Sequence, residues 1–372
     1  DGYNGSSIAK IKQQTQLDNH LQKKYHLMGP KPEKKILEVG DDENVLKVLI
    51  LGTGYVGSST LFKQFQYIYG EGYNDQDRQM TISSIHEQVI EQMKNCLIRM
   101  QDLKMEHEEY GDLELSEEAS KAAETLKDVE NRSLDAEICG LVECLWKEDA
   151  IRRVFELRGK FCIDDSSSYF WDDLQRLAAP DYVPTDKDIL MVMHRTTGVV
   201  EQRFQIQGMV FKVSDHGGQR SERRKWIHSF ENVRCIIWVC SLSAYDYVLF
   251  EDESTNAMVE NLSTFEEICN SRYFKETAMV LFLNKKDLFA EKIHSVPITE
   301  CPALVEFQGD TTSYEETTAF IKQVYESKNQ NPDEKPIYTH LVCAIDRENV
   351  ERAINNVQNI VIQTALQRSG LV

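Results

Sequence analysis

Leu49–Phe65 reads "LILGTGYVGSSTLFKQF". A short apolar run, Val45–Leu51, leads into Gly52, Gly54 and Gly57 and then into a helix-forming segment, Ser59–Tyr69. A strand, a glycine-rich turn and a helix N-terminus in that order place several main-chain amides where an anion can be held. The phosphate-loop pattern G-x-x-x-x-G-K-[S/T] is met at Gly52, Gly57 and Ser59, but Ser58 stands where the lysine belongs. Taken alone, such a stretch is equally a tight strand-to-helix turn, so the rest of the chain has to decide.

Three other loops bear on the decision. "DHGGQ", Asp215–Gln219, follows the strand-like "MVFKVS" and suits a loop that approaches a terminal phosphate. "NKKD", Asn284–Asp287, follows "AMVLFL"; the Asp287 carboxylate can accept from two ring donors that guanine offers and adenine does not. Cys343 and Ala344 follow "IYTHLV" and can back the same base with a main-chain amide. All four loops fall at the carboxyl ends of strands, where open α/β sheets bind ligands.

Composition narrows the class. The 372 residues allow two domains, and 41% hydrophobic content suffices for a large core. A net charge of −19 argues against nucleic acid as the partner. The nine cysteines are odd in number and contain no C-x-x-C, which favours free thiols over disulfides or zinc. No apolar run has the length of a membrane span.

The pattern along the chain is α/β, then helical, then α/β again. Residues 6–27 read as a polar helix with a thin stripe of Ile8, Ile11, Leu17 and Leu21, either a solvated arm or a partner-docking helix. Residues 75–180 read as almost purely helical, in the stretches "ISSIHEQVIEQMKNCLIRMQDL", "SEEASKAAETLKDVEN", "AEICGLVECLWKEDAIRRVFELR" and "SSSYFWDDLQRLA", with the acidic run "MEHEEYGDLELSEE" as a solvated connection. From Val199 a hairpin turning at Gly208, further strands and a last helix at about Arg347–Arg368 resume the α/β pattern. A helical segment therefore interrupts an α/β domain after its first helix and before its second strand.

The chain resembles the α subunits of heterotrimeric G proteins along nearly its whole length. The likeness rests on "DDSSSYFWDDLQRLAAPDYVPTDKDIL", "RTTGVVE", "DHGGQRSERRKWIHSFENV", "YDYVLFEDESTN", "FLNKKDLFAEKI" and the terminal "GLV". It implies an α/β Ras-like P-loop GTPase domain with a mainly parallel sheet (residues 41–72 and 193–372). An inserted all-helical domain (73–192) and an N-terminal docking helix and linker (1–40) complete it. It also implies a peripheral position at the inner face of the plasma membrane and a switch between GDP and GTP with Mg²⁺. The partners it implies are a βγ dimer at the N-terminal helix and Arg220–Trp226, a receptor-like exchange factor at the C-terminal helix through Leu371, an effector and a GTPase-accelerating protein.

The resemblance also assigns residues. Gly52, Gly54, Tyr55, Val56, Gly57, Ser58, Ser59 and Thr60 form the phosphate loop. Ser59 and Thr196 supply hydroxyls to Mg²⁺, and Asp215 holds it through water. Gly218 gives an amide to the terminal phosphate, and Gln219 orients the attacking water. Asn284, Lys285, Asp287, Cys343, Ala344 and Ile345 surround guanine, while Asp165 and Ser166 reach across the cleft from the inserted domain.

The sequence departs from the family pattern where chemistry is expected. Ser58 replaces the phosphate-loop lysine, Met193 the built-in catalytic arginine, Tyr55 the loop glutamate that pairs with that arginine, and Ile345 a base-facing threonine; His216 is a lesser change. Tyr55 and Met193 are expected to pack on each other. Arg195 and Lys63 match ordinary basic positions, with Lys63 pointing along its helix away from the loop. A neutral serine cannot replace a charge-assisted bond, so the expectation is weak phosphate binding and very slow hydrolysis. The alternative is a pseudo-GTPase scaffold with the same fold and little or no nucleotide cycle.

Overall fold

The computed structural model describes residues 45–130, 133–206 and 208–368, with side chains of the last helix described to Thr364. The expected N-terminal docking helix within residues 1–40, and Leu371, expected to meet an exchange factor, lie outside the described residues.

In chain order the elements are β1 (Val45–Gly52), α1 (Ser58–Tyr69), α2 (Asp75–Glu106), α3 (Glu117–Lys127), α4 (Ala136–Trp146), α5 (Asp149–Glu156), α6 (Arg158–Phe161), α7 (Ser167–Trp171), α8 (Leu174–Leu177) and α9 (Asp186–Met191). There follow β2 (Val199–Ile206), β3 (Met209–His216), α10 (Arg220–Arg223), β4 (Val233–Ser241), β5 (Val248–Leu249), β6 (Asp252–Asn256) and α11 (Ala257–Cys269). β7 (Ala278–Asn284), α12 (Lys286–Lys292), α13 (Tyr314–Glu326), β8 (Ile337–Leu341) and α14 (Arg347–Arg368) follow as the last of the described elements.

Six strands form one sheet in the order β2-β3-β1-β4-β7-β8. Only β2 runs antiparallel to its neighbour; β1 pairs in parallel with both β3 and β4. The chain leaves β1 toward one edge and later returns to build the other, so the strand order reverses beside β1. A crevice opens there at the strands' carboxyl ends.

β1 shows why this sequence makes a central strand. Val48 and Ile50 face the core packed by α1 and α14, while Leu49 and Leu51 face the core packed by α11 and α13. Side chains alternate across a strand, so a strand buried on both faces must be apolar at every position. The α14 stripe of Val350, Ile354, Val357, Ile360 and Val361 covers the first face.

Helices α2–α9 surround a separate core containing Ile85, Val89, Met93, Leu126, Val142, Phe170 and Trp171. α2 starts at a capping box in which Asn74 and Asp77 exchange side-chain and main-chain bonds. The structure corrects three readings. The segment 136–158 is not one helix: Glu148 turns away and its carboxylate takes both the amide and hydroxyl of Ser116, capping α3. The segment 166–178 breaks at Asp172–Asp173, where Asp172 accepts from Trp146 Nε1 at 2.7 Å. The acidic connection after α2 is not wholly solvated, because Leu113 is buried in the helical core.

Candidate functional site

A cleft of about 200 Å³ lies at the strand-order reversal, between the sheet and the helical segment. Gly54, Tyr55, Gly57, Ser58, Ser59 and Thr60 line it from the glycine turn; Asp165, Ser166, Met193 and Thr196 line it from the other side. Gly218, Gln219, Asn284, Lys285, Asp287, Cys343, Ala344 and Ile345 also line it, as do the basic side chains of Lys63, expected to point away from the loop, and Arg195. Of the expected residues, Gly52, Val56 and Asp215 do not line the cleft but sit behind it.

The turn after β1 is shaped for an anion. α1 begins at Gly57, which has a φ of +91°, with no side chain capping its first turn and no acidic residue in that turn. Its first amides are therefore left for a ligand at the positive end of the helix. Gly57 is needed for a second reason: a Cβ there would lie 2.5 Å from Asn284 Nδ2. Gly218 is just as tightly placed, since a Cβ would meet the carbonyl oxygens of Thr53 and Gly52 at 2.5 and 2.6 Å.

Behind the turn, Ser59 Oγ donates to Asp215 Oδ2 at 2.7 Å and Thr196 Oγ1 to the same oxygen at 3.1 Å, with the two hydroxyls 2.6 Å apart. Burial pushes the Asp215 carboxyl up to about 6, against the opposing hydrogen bonds of Ser59, Thr196 and Ser58. Its Oδ1 is buried without a hydrogen-bond partner. An orphaned carboxylate oxygen beside two hydroxyls suits a small hard cation completed by water and phosphate oxygens. Among the described residues no group of three or more His, Cys, Asp or Glu could hold a metal without such help.

Asn284 Nδ2 donates to Val56 O at 2.9 Å, and its Oδ1 accepts the Ala344 amide at 2.9 Å. The Cys343 amide donates to Asn349 Oδ1 at 2.9 Å. Both main-chain amides expected to face a base are thus engaged within the protein, where they brace Asn284 and its loop. Asp287 differs: its Oδ1 is buried and has no partner. Lys285, at a φ of +58°, donates to Asp165 Oδ2 at 2.9 Å. Asp165 Oδ1 also takes Arg158 Nε at 2.9 Å and the Tyr247 hydroxyl. Burial alone would raise the Asp165 carboxyl, but the Lys285 and Arg158 charges and these bonds hold it well below the usual range.

The departures have definite surroundings. Ser58 is buried, and its hydroxyl bears on Asp215. The Met193 amide donates to Gln88 Oε1 at 2.9 Å, and Gln88 Nε2 donates to Ser166 Oγ at 2.9 Å. The Tyr55 and Phe250 ring centroids are 5.8 Å apart, the Arg195 charge bears on the Tyr55 phenol, and Tyr55 and Met193 both line the cleft. Lys63 donates to the carbonyls of Ile189 and Val192 at 2.8 and 3.0 Å, capping the end of α9. The Arg220–Trp226 segment is pinned in place. Arg223 reaches Gly218 O and Glu260, and Trp226 Nε1 donates to Gly217 O at 2.9 Å.

The sequence reading missed Gln88, Arg158, Tyr247 and Phe250. Gln88 alone left a signal, as a polar residue on the buried stripe of α2 between Ile85 and Met93.

Residues 12–361 match the family model described as G-protein alpha subunit. The chain belongs to that family. Similar proteins include the guanine nucleotide-binding protein alpha-17 subunits of Caenorhabditis briggsae and Caenorhabditis elegans. Each is 41% identical over 333 residues, covering 88% of this chain and 91% of the relative. The alpha-2 subunit of C. briggsae is 39% identical over 334 residues, covering 89% and 92%. Proteins of this α-subunit family bind guanine nucleotides, typically with Mg²⁺, are GTPases in general and act in signal transduction with partners such as βγ and receptors. Among the described residues no helix is long and apolar enough to cross a membrane.

Proposed function

We propose that this α subunit is a guanine-nucleotide switch that holds phosphate weakly and hydrolyses GTP very slowly without help. The observation that carries the reading is the neutral side chain at Met193 facing a cleft whose turn also lacks a lysine. The domains divide at 72/73 and 192/193, so that the helical core closes over the sheet's crevice.

In this reading the amides from Gly54 to Ser59 cradle phosphates, and Asp287 Oδ1 recognises guanine while Lys285 covers the base with its stem. Ser59, Thr196 and, through water, Asp215 would hold Mg²⁺, which when bound supplies charge neutralisation at the phosphates. Gln219 lies beside Gly54, whose added Cβ would come within 3.7 Å of the Gln219 side chain, and there it orients the attacking water. Nothing at Met193 or Ser58 offers charge to the transition state. Stabilisation of developing charge usually contributes more than any other effect to catalysis of this kind, so the chemistry is slow and a partner that supplies a cation would speed it. βγ engages Arg220–Trp226, and the subunit works at the inner face of the plasma membrane.

The test is to denature purified protein and identify the nucleotide released, then titrate fluorescent GTP and ATP analogues with Mg²⁺. Released GDP or GTP with selectivity for guanine is expected; equal or tighter ATP binding would sink the reading. A second reading, a pseudo-GTPase scaffold, is favoured by Ser58, Met193 and Ile345, which depart from the family pattern where chemistry is expected. Protein that releases no nucleotide and binds none would establish it.

A further inference from the structure

The hairpin of β5 and β6 carries Phe250 at its turn, and that ring is covered from two sides. The Arg195 guanidinium carbon lies 4.0 Å from the ring centroid. The Tyr55 ring approaches at 5.8 Å with an interplanar angle of 31°. The Arg195 charge also bears on the Tyr55 phenol, which closes the three residues into a ring of contacts. They come from three parts of the chain: the glycine turn, the segment before β2, and the hairpin.

The hairpin is held firmly from behind. Glu251 accepts the Arg220 amide at 3.1 Å and Asp252 accepts Arg220 Nη1 at 3.1 Å, while Glu253 pairs with Arg99 of α2. Tyr55 adopts a φ of +65°. A bulky residue persists in that conformation only when its surroundings over-determine it. Its neighbours in the turn, Gly54 and Gly57, line the cleft, and Arg195 is adjacent to Thr196, which bonds Asp215.

We propose that Phe250, Arg195 and Tyr55 form a clasp over the phosphate end of the cleft, and that its opening sets the rate at which bound nucleotide leaves. The proposal rests on the nucleotide-binding reading above and assigns Arg195 and Phe250 as positioning residues. Stacked on Phe250, the Arg195 guanidinium holds the turn in place and is kept from serving as the cation that Met193 fails to supply. Opening the clasp frees the strained turn and withdraws Thr196 from Asp215 in one movement.

The experiment measures dissociation of a fluorescent GDP analogue, chased with unlabelled GDP and Mg²⁺, from the full chain and from Phe250→Ala, Phe250→Leu, Arg195→Lys and the double variant Phe250→Ala/Arg195→Lys. Phe250→Leu keeps apolar bulk but offers no ring face, so it separates the clasp from simple loss of packing. Each single variant should release nucleotide about 3- to 30-fold faster, the range a partly buried cation–π contact supports. Lysine should not substitute for arginine, because its ammonium lacks the planar face that stacks. The double variant should be no faster than the quicker single one, since both break one contact. Association rate should stay at the parental value and melting temperature should fall by no more than the few degrees that the lost contact accounts for, which a general loss of structure would exceed. Dissociation within about twofold of the parent in Phe250→Leu and Arg195→Lys, or fully multiplicative effects, would overturn the clasp. If the parent binds no guanine nucleotide, the underlying reading fails instead. Hydrogen exchange at residues 54–56 then decides the clasp: faster exchange in Phe250→Leu supports it and unchanged exchange overturns it.

Discussion

Replacing Asp165 by asparagine should loosen the helical segment from the sheet, and the structure allows the size of the effect to be worked out. Asp165 Oδ2 takes Lys285 Nζ at 2.9 Å, and Oδ1 takes Arg158 Nε at 2.9 Å and the Tyr247 hydroxyl. At an effective dielectric of about 20, a unit-charge pair about 4 Å apart is worth about 4 kcal/mol. Desolvation returns much of that, yet removing one partner from a buried pair costs about 3–5 kcal/mol because the remaining charge is stranded. Asparagine keeps the shape and strands two cations beside each other, so a loss of about 3 kcal/mol or more is expected. The tryptophans report the result by place: Trp146 and Trp171 lie in the helical core, Trp226 and Trp238 in a core of the sheet. In urea, variants keeping one pair at a time should show the helical signal moving to lower denaturant in Asp165→Asn, ahead of the sheet signal. The depressed carboxyl makes this stabilisation fully present above the unfolded value of about 3.9 and lost as pH falls through the folded value. The asparagine penalty should therefore be constant from neutral pH down to about 5. An unfolding midpoint indistinguishable from the parent at pH 7, in both tryptophan pairs, would show that the ion cluster contributes nothing net across this junction.

Other perturbations have definite signs. Met193→Arg should accelerate single-turnover phosphate release from preloaded GTP, and more so with Ser58→Lys; the arginine's contribution in GTPases of this family is about 10³–10⁵, a figure for the family at large and an upper bound for this chain. Ser58→Lys alone should tighten triphosphate binding at low salt; no gain in a fluorescent titration would mean that the turn has repacked around Ser58 and Asp215. Asp287→Asn should weaken guanine and favour xanthine nucleotides in competition binding, because its acceptor oxygen is lost. His86 is held low by burial, with Nδ1 accepting the Leu134 amide and Nε2 against Leu177 O. Its folded value lies below the unfolded value of about 6.5, so its contribution is present above that pH and lost as pH falls. The melting temperature followed through Trp146 and Trp171 should drop as pH falls below about 6.5 in the parent, with a flatter profile in His86→Gln.

Much of the fold was legible because its signals are periodic. β1, β4 and β7 read as apolar runs because both faces are buried, and the switch to three- and four-residue spacing after Tyr69 marked the helical segment before any contact was known. What period could not show were the breaks inside that segment. Glu148 and Asp172 sit in sequences that could continue a helix, but each carboxylate finds a better partner outside it, Ser116 in one case and Trp146 in the other. Such competition depends on elements distant along the chain. Leu113 was hidden for the opposite reason: one apolar residue in an acidic run adds nothing to a local average, yet it fills the helical core.

The cleft was legible to the extent that it is built from contiguous loops at strand ends. The residues that brace those loops were not: Gln88 and Arg158 come from helices of the inserted segment and belong to no motif, and nothing in the stretch that holds Tyr247 and Phe250 says that they reach the site. The bracing also changes how the motifs bear on the two functional readings. Asn284 ties Val56 to Ala344, and Gly57 must lack a side chain to admit it. A scaffold with no nucleotide cycle would need both residues to keep its turn and its last loop together, so neither discriminates. Asp215 belongs to an internal network with Ser59 and Thr196 and is also partly accounted for by structure. Asp287 is different. Its Oδ1 is buried and without a hydrogen-bond partner in the protein, and an unsatisfied buried carboxylate oxygen costs stability unless a ligand satisfies it. A fold with no use for guanine would gain by losing that carboxylate. Asp287→Asn therefore separates the readings by stability as well as affinity. In a scaffold it should leave nucleotide-free stability unchanged or higher, with no effect of added GDP. In a nucleotide switch, GDP should raise the melting temperature of the parent and lose that effect in the variant.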